Sequence, residues 1–495
     1  MLDSGGATFQ HFQYETDIPY CGMEGQLMTV PSTMGRRVVI APDKFKGSLT
    51  AGQAARAMAL GVKRANPELT TVECPVADGG DGTLDTAVAA GFERVPVYAT
   101  GPTGQVVLTA YARSGETAVV EMAEVCGLQR LPGAKAAPMT ASSYGLGEVV
   151  AQALDHGCRD IIIGVGGSAS TDGGAGFLAA LGAIARDEHG SRLDSGGRHI
   201  GSAAQLDVTG LHPEIASAAF TIAVDVDNPL YGPLGAAMVY ASQKGASPVQ
   251  VIELDRALRV WADVVERATR TDCGTAAGAG AAGGGGFAAL AVLGARMRAG
   301  IEVILDLIEL DRHLLGACAA MTGEGSLDHQ SLRGKAAVGV SRRAGAYGVP
   351  TFAVAGVSTL DPVDVDAAGL AGVYALSDLE PDRQRSISQA GDLLALATER
   401  LTREWLCRMQ ETLSAAPGVN EPLSEDIISG MRQGRDATRL NNDAYRLHLP
   451  EPGSDPFENL GRRCYEAQTR ELIRLAEQVG LRSRVEAEDG ETEQA

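Results

Sequence analysis

Aromatic residues make up only 4% of this 495-residue chain, too few for the stacking platforms that bind single-stranded nucleic acid. Positive charge is also scarce. Forty-two Lys and Arg face 62 Asp and Glu, a formal net charge of −20, which argues against nucleic acid as a partner. A small anionic substrate would need local positive charge to offset that field. The eight cysteines (Cys21, Cys74, Cys126, Cys158, Cys273, Cys318, Cys407 and Cys464) include no C-x-x-C pair. They read as reduced thiols of a cytoplasmic protein, not as a disulfide frame or zinc site. The histidines are equally scattered. No apolar run approaches the ~18 residues of a membrane span, so no membrane partner is expected. The N-terminus lacks the basic start and apolar middle of a secretory signal.

Glycine is abundant instead, 62 residues against a usual share of about 7%. The most informative stretch is Asp160 to Gly176, DIIIGVGGSASTDGGAG. Ile161, Ile162, Ile163 and Val165 predict a short buried strand. Gly166, Gly167, Ser168, Ser170, Thr171, Asp172, Gly173 and Gly174 follow, then a helical run from Phe177. Glycines between a strand and a helix let backbone N–H groups meet an anion. Asp172 is a carboxylate inside that anion-binding shape. It fits a metal that arrives with the anion, or a base that takes a substrate proton. The spacing matches neither common nucleotide fingerprint. A turn that merely packs a helix on a sheet accounts for the loop equally well.

The first strand is Arg37 to Ala41, followed by a loop from Pro42 to Ser48. Thr50 and Gln53 form a capping box for a helix to about Ala65. A second strand, Thr71 to Val76, leads into Ala77 to Thr83 and a helix from Leu84. This alternation predicts a parallel sheet with ligands at its strand ends. Antiparallel strands are expected at Val106–Ala112 and Thr117–Met122. A helix is expected from Tyr144 to His156, with Ser142 or Ser143 as its cap. A strand is expected from Phe220 to Val226, and a long helix spans Val249 to Thr269. The first texture returns after about residue 301, with a last helix over about Ser386 to Gln410. The chain therefore divides into residues 36–97 plus 300–410 as one discontinuous α/β domain and 98–299 as an inserted one. Residues 1–35 read as a flexible leader. Residues 411–495 read as an extension with one helix, Pro456 to Val479, and a disordered acidic end.

Four glycine-rich loops carry acids: Asp78 with Asp81, Asp172, Asp225 with Asp227, and Glu324 with Asp328. Lysines lie in or beside three: Lys44 and Lys46, Lys244, and Lys335. Acids for Mg²⁺, lysines for phosphate or carboxylate, and N–H-lined loops are the parts of a phosphoryl-transfer site. Singly, each has a plainer reading as a solvated turn, a helix cap or an Asx turn. Together, at several strand ends, they favour a site.

The blocks APDKFKGSLTAGQAA, PVADGGDGT, SSYGLGEVV, GVGGSASTDGGAG, VDVDNPLYGPLGAA, QKGAS, GAGAAGGGG and TGEGSLDHQSLRGK resemble, in order, the bacterial glycerate kinase family. The resemblance covers roughly residues 36–410. It implies phosphorylation of D-glycerate by ATP with Mg²⁺, typically to 2-phosphoglycerate. It also implies two α/β domains, the discontinuous one a three-layer, flavodoxin-like parallel sheet and the inserted one mixed, with the active site in the cleft. By motif, Lys44, Lys46, Asp78 and Asp172 become the catalytic candidates. Asp43, Ser48, Asp81 and Lys335 become candidates for glycerate binding. Gly166, Gly167, Ser168, Gly173, Gly174, Gly283, Gly284 and Glu324 fall to the nucleotide, and Asp225, Asp227 and Asp328 to the metal. The lysines would hold the carboxylate or the migrating phosphoryl group. Asp78 or Asp172 would take the hydroxyl proton. Three positions depart from the family pattern: Ala241-Ser242 before Gln243, Ala169-Ser170-Thr171 before Asp172, and Asp81 where Glu is usual. Other acceptors remain open, namely the 3-hydroxyl of glycerate or another short hydroxy acid, as do a non-catalytic nucleotide-binding regulator and a homodimer.

Overall fold

A computed structural model describes residues 36–415. The expected leader, the Pro456–Val479 helix, the acidic end, Cys21 and Cys464 lie outside the described residues. The strands in chain order are β1 (Arg37–Pro42), β2 (Thr70–Glu73), β3 (Glu93–Thr100), β4 (Val106–Ser114), β5 (Thr117–Glu121), β6 (Asp160–Gly164), β7 (Ile184–Arg186), β8 (Gln205–Asp207), β9 (Ala219–Ala223), β10 (Arg296–Arg298), β11 (Ala319–Leu327), β12 (Thr351–Ser358) and β13 (Leu370–Ala375).

Five of them form a fully parallel sheet in the order β13-β12-β11-β1-β2. Counted within that sheet this is the 2-1-3-4-5 order of flavodoxin-like folds, and the order reverses between β1 and β11. The alternation of β1 sorts its two faces. Val38 and Ile40 pack with the helix Ala51–Ala65 and the long helix Ala390–Ala415. Val39 and Ala41 pack with the helices Gly300–Leu307 and Ala336–Ala346. The result is three layers. Thr50 and Gln53 form the expected capping box at 2.9 and 3.2 Å. Gly61 lets the two helices of the first face touch, because a Cβ there would lie 2.3 Å from the Ala395 carbonyl. The expected last helix is two segments, Arg383–Ser388 and Ala390–Ala415.

The second sheet runs β10-β9-β6-β5-β4-β3. Its first four strands are parallel, and β4 and β3 are antiparallel additions. Glu93 through Thr100 pairs with β4 along its whole length, so the chain enters this sheet before residue 98. The preceding helix, Thr83–Ala89, already packs Leu84 and Ala87 against Ala110, Ala112 and Val119 of this sheet. β7 and β8 form a separate two-stranded antiparallel sheet. The helix Pro248–Thr269 carries its own capping box, Ser247 with Gln250, and buries Trp261. Cys74, Cys126, Cys158 and Cys273 carry free thiols. Among the described residues no helix is long and apolar enough to cross a membrane.

Candidate active site

The C-terminal ends of the parallel strands bring the signature loops together. Asp43 follows β1 and Glu324 sits near the end of β11, flanking the point where strand order reverses. That position is where open parallel sheets bind ligands. The Asp43 N–H donates to the Gly323 carbonyl at 2.8 Å, tying the two loops. The chain after β2 then crosses to the second sheet. Gly79 lies against Gly300 and Ala223, and Gly80 lies so close to Gly166 that a Cβ on Gly166 would sit 2.5 Å from the Gly80 Cα. Glycine is required there because two backbones meet. Lys44 closes the arrangement by donating to the Asp81 carbonyl at 2.5 Å.

The electrostatics follow from that convergence. Burial pushes the Asp43 carboxyl up to about 7, and the charge of Asp78 adds to the rise while Lys44 and Lys335 oppose it. Burial likewise raises Glu324 to about 7 and leaves its Oε1 without a partner. Asp225 is raised to about 6, first by the protein packed around it and then by Asp78, although it accepts the Gly300 N–H at 2.8 Å and its edge is open to solvent. Lys335 acts on Asp43, Asp225 and Glu324 together. The side chains of Lys46 and Lys335 make no hydrogen bond or ion pair to the described residues. Lys46 is exposed and Lys335 half-buried. Lys335 is thus an unpartnered ammonium group among the described residues that faces three acids, and Lys46 stands exposed on the loop after β1.

Other expected site residues sit differently. Asp172 is fully buried. Its Oδ2 accepts the Ser143 N–H and hydroxyl at 2.8 Å each and the Gly176 N–H at 3.3 Å, and its Oδ1 accepts the Gly174 N–H at 3.3 Å. Its oxygens are committed to the fold. The Gly173 N–H donates to the Gly283 carbonyl, and the Gly284 N–H to Ala281. These glycines join two loops, and the N–H groups of Gly173, Gly174 and Gly284 are engaged internally. The N–H groups of Gly166, Gly167 and Ser168 have no acceptor among the described residues, and Gly167 is exposed. Ser48 donates to the Phe45 carbonyl at 3.0 Å. Asp328 accepts the N–H groups of Gln330 and Ser331 at 2.8 and 3.3 Å. Asp227 is exposed. Among the described residues no three His, Cys, Asp or Glu side chains are grouped to hold a metal.

One residue escaped the sequence reading. Glu121, at the end of β5, is buried and accepts the Gly82 and Leu84 N–H groups at 3.1 and 2.9 Å. It thereby fixes the Asp78–Asp81 loop from the second sheet. Lys244 is also buried, and its ammonium donates to the Ser168 hydroxyl at 2.8 Å and the Ser170 carbonyl at 2.5 Å.

The family model described as the glycerate kinase family matches residues 38–406. The chain belongs to the glycerate kinase family. It is 40% identical over 344 residues to the glycerate 2-kinase of Escherichia coli K12, covering 69% of this chain and 90% of that protein. It is 38% identical over 343 residues to a glycerate kinase of Bacillus subtilis 168, covering 69% and 90%. Among solved structures it is similar to one from Salmonella typhimurium LT2 named as glycerate kinase 2. That match has a TM-score of 0.67 and 37% identity, and it covers 76% of this chain and 99% of the other. This chain is thus a kinase of that family, and the matched region carries every loop described above.

Proposed function

We propose that the chain transfers the γ-phosphoryl group of ATP to D-glycerate, giving 2-phosphoglycerate and ADP. The observation that carries this reading is the ammonium group of Lys335, which makes no hydrogen bond or ion pair to the described residues and acts on Asp43, Asp225 and Glu324 where loops from both sheets meet. A three-carbon hydroxy acid presents one carboxylate and adjacent hydroxyls, which suits a small site of this mixed charge. The names of the relatives support glycerate as the acceptor.

In the proposed step, Lys335 holds the glycerate carboxylate and Lys46 the transferring oxygens. Of the two acids considered as base, Asp78 has the freer carboxylate: its Oδ1 accepts only the Gly80 N–H, at 3.3 Å. It takes the hydroxyl proton as the new P–O bond forms and the bond from the γ-phosphorus to the β,γ-bridging oxygen breaks. The Gly166–Ser168 loop receives the polyphosphate. Lys44 and Glu121 keep the Asp78–Asp81 loop in register with β1 and β5.

Mg²⁺ fits beside Asp78 and Asp225: Asp225 is raised first by the protein packed around it and then by Asp78, and a cation would relieve that repulsion. Mg²⁺ is commonly held by one or two carboxylates together with substrate phosphates. When bound it would neutralise charge on the phosphate oxygens. We further propose that the two sheets are the cores of two domains with the site between them, and that the enzyme is cytoplasmic. A coupled assay for ADP tests the reading: D-glycerate should stimulate ADP release strongly, and equal release without acceptor would refute it.

A further inference from the structure

The donor pattern around Ser168 points to one more functional element. Lys244 is 4% exposed, and among the described residues no carboxylate lies within ion-pair distance of its ammonium. A buried charge without a paired counter-charge is costly. The one acid acting on it is Asp172, whose oxygens already accept bonds from Ser143, Gly174 and Gly176. The positive charge beneath the glycine-rich loop is therefore not balanced by an ion pair.

The direction of the Lys244–Ser168 bond has a chemical consequence. An ammonium can only donate, so the Ser168 oxygen accepts at 2.8 Å and the Ser168 proton must point elsewhere. No acceptor for that proton exists among the described residues. The N–H groups of Gly166, Gly167 and Ser168 are equally without acceptors. Cross-links hold this segment in place: the Leu128 N–H donates to the Gly167 carbonyl at 3.0 Å and the Ala169 N–H to the Cys126 carbonyl at 2.9 Å. Lys244 adds a third tie at the Ser170 carbonyl. The end of β6 thus presents three N–H donors and one O–H donor, all unpaired, with a buried cation behind them. That combination suits a group that only accepts hydrogen bonds and carries more than one negative charge.

We propose that Lys244 is a positioning residue for nucleotide binding, forcing the Ser168 hydroxyl to donate to a phosphate group of ATP held at the Gly166–Ser168 loop. The ammonium acts through Ser168 and supplies long-range positive charge without touching the ligand. The proposal rests on ATP being the donor substrate.

The test compares Ser168→Ala, Lys244→Met and Lys244→Arg in the full chain. KM is measured for ATP and for D-glycerate separately, and calorimetry measures ADP affinity. Loss of one charge-supported hydrogen bond should raise KM for ATP and weaken ADP roughly 10- to 100-fold in Ser168→Ala, with KM for D-glycerate within about twofold. Lys244→Met should show the same split, partly restored in Lys244→Arg. If Lys244→Met fails to fold, Ser168→Ala decides alone, because removing one oxygen leaves the loop's backbone cross-links in place. An unchanged KM for ATP in Ser168→Ala overturns the proposal. A rise confined to D-glycerate also overturns it and gives the loop to the acceptor's carboxylate. Absence of any D-glycerate-dependent turnover in the unaltered chain would instead count against the functional reading, while ADP affinity would still test Ser168 and Lys244.

Discussion

One carboxylate oxygen of Asp172 accepts both the backbone N–H and the hydroxyl of Ser143, each at 2.8 Å. This bond ties the loop after β6 to the start of the helix Tyr144–Asp155, and the Ser143 hydroxyl continues it by accepting the Phe177 N–H at 2.9 Å. Asp172→Ala should therefore destabilise the fold by about 3–5 kcal/mol, since several buried donors lose their acceptor. A urea midpoint unchanged from that of the unaltered chain would show that these bonds contribute nothing. The loop position suggested either a carboxylate for chemistry or a turn that packs a helix on a sheet, and the hydrogen bonds of Asp172 give it a structural share.

Lys46 gives the opposite expectation. It is exposed, with no partner among the described residues, so Lys46→Ala should leave the urea midpoint in place. Turnover should fall about 10²- to 10³-fold, the effect of removing one charge contact to transferring oxygens. Near-normal turnover would remove Lys46 from the site.

Stability should decline with pH across the neutral range. Asp43, Glu121 and Glu324 are each raised to about 7 and Asp225 to about 6, with burial the first cause in every case. The same groups lose their protons near pH ~4 in the unfolded chain. Between those values the folded protein holds more protons, so its stability is fullest below the unfolded pKa and is lost as pH rises through the folded one. The urea midpoint should fall from about pH 5 to about pH 8, and Glu324→Gln should flatten the slope. A midpoint that rises over that interval would contradict the burial of Asp43, Glu121 and Glu324.

Asp328 separates two roles. Its carboxylate accepts the Gln330 and Ser331 N–H groups, the work of a turn cap. Asp328→Ala should cost about 1 kcal/mol of stability and keep its turnover. A collapse of turnover, accompanied by a raised Mg²⁺ requirement, would return Asp328 to the metal site.

What the sequence made legible was local. Glycine-rich loops at strand ends, the Thr50–Gln53 box and the parallel rhythm around β1 all depend on neighbours within a few residues. The missed features are contacts between distant segments. Glu121 reaches Gly82 across 39 positions and Lys244 reaches Ser168 across 76, and no periodicity marks either. Ser143 carried a helix-cap signal, yet its hydroxyl serves Asp172, 29 positions on, because tertiary contact outcompeted the local cap. β3 was obscured because Pro96 and exposed Tyr98 interrupt its apolar alternation, while its register is set by β4.

The most direct test of the account is phosphorus NMR of the product formed from ATP and D-glycerate with Mg²⁺. The account predicts a new phosphate-ester signal split into a doublet by the single proton on C2, growing as ADP appears. A triplet from the two protons of C3 would contradict the assigned hydroxyl. No ester signal despite ATP consumption would contradict the transfer itself.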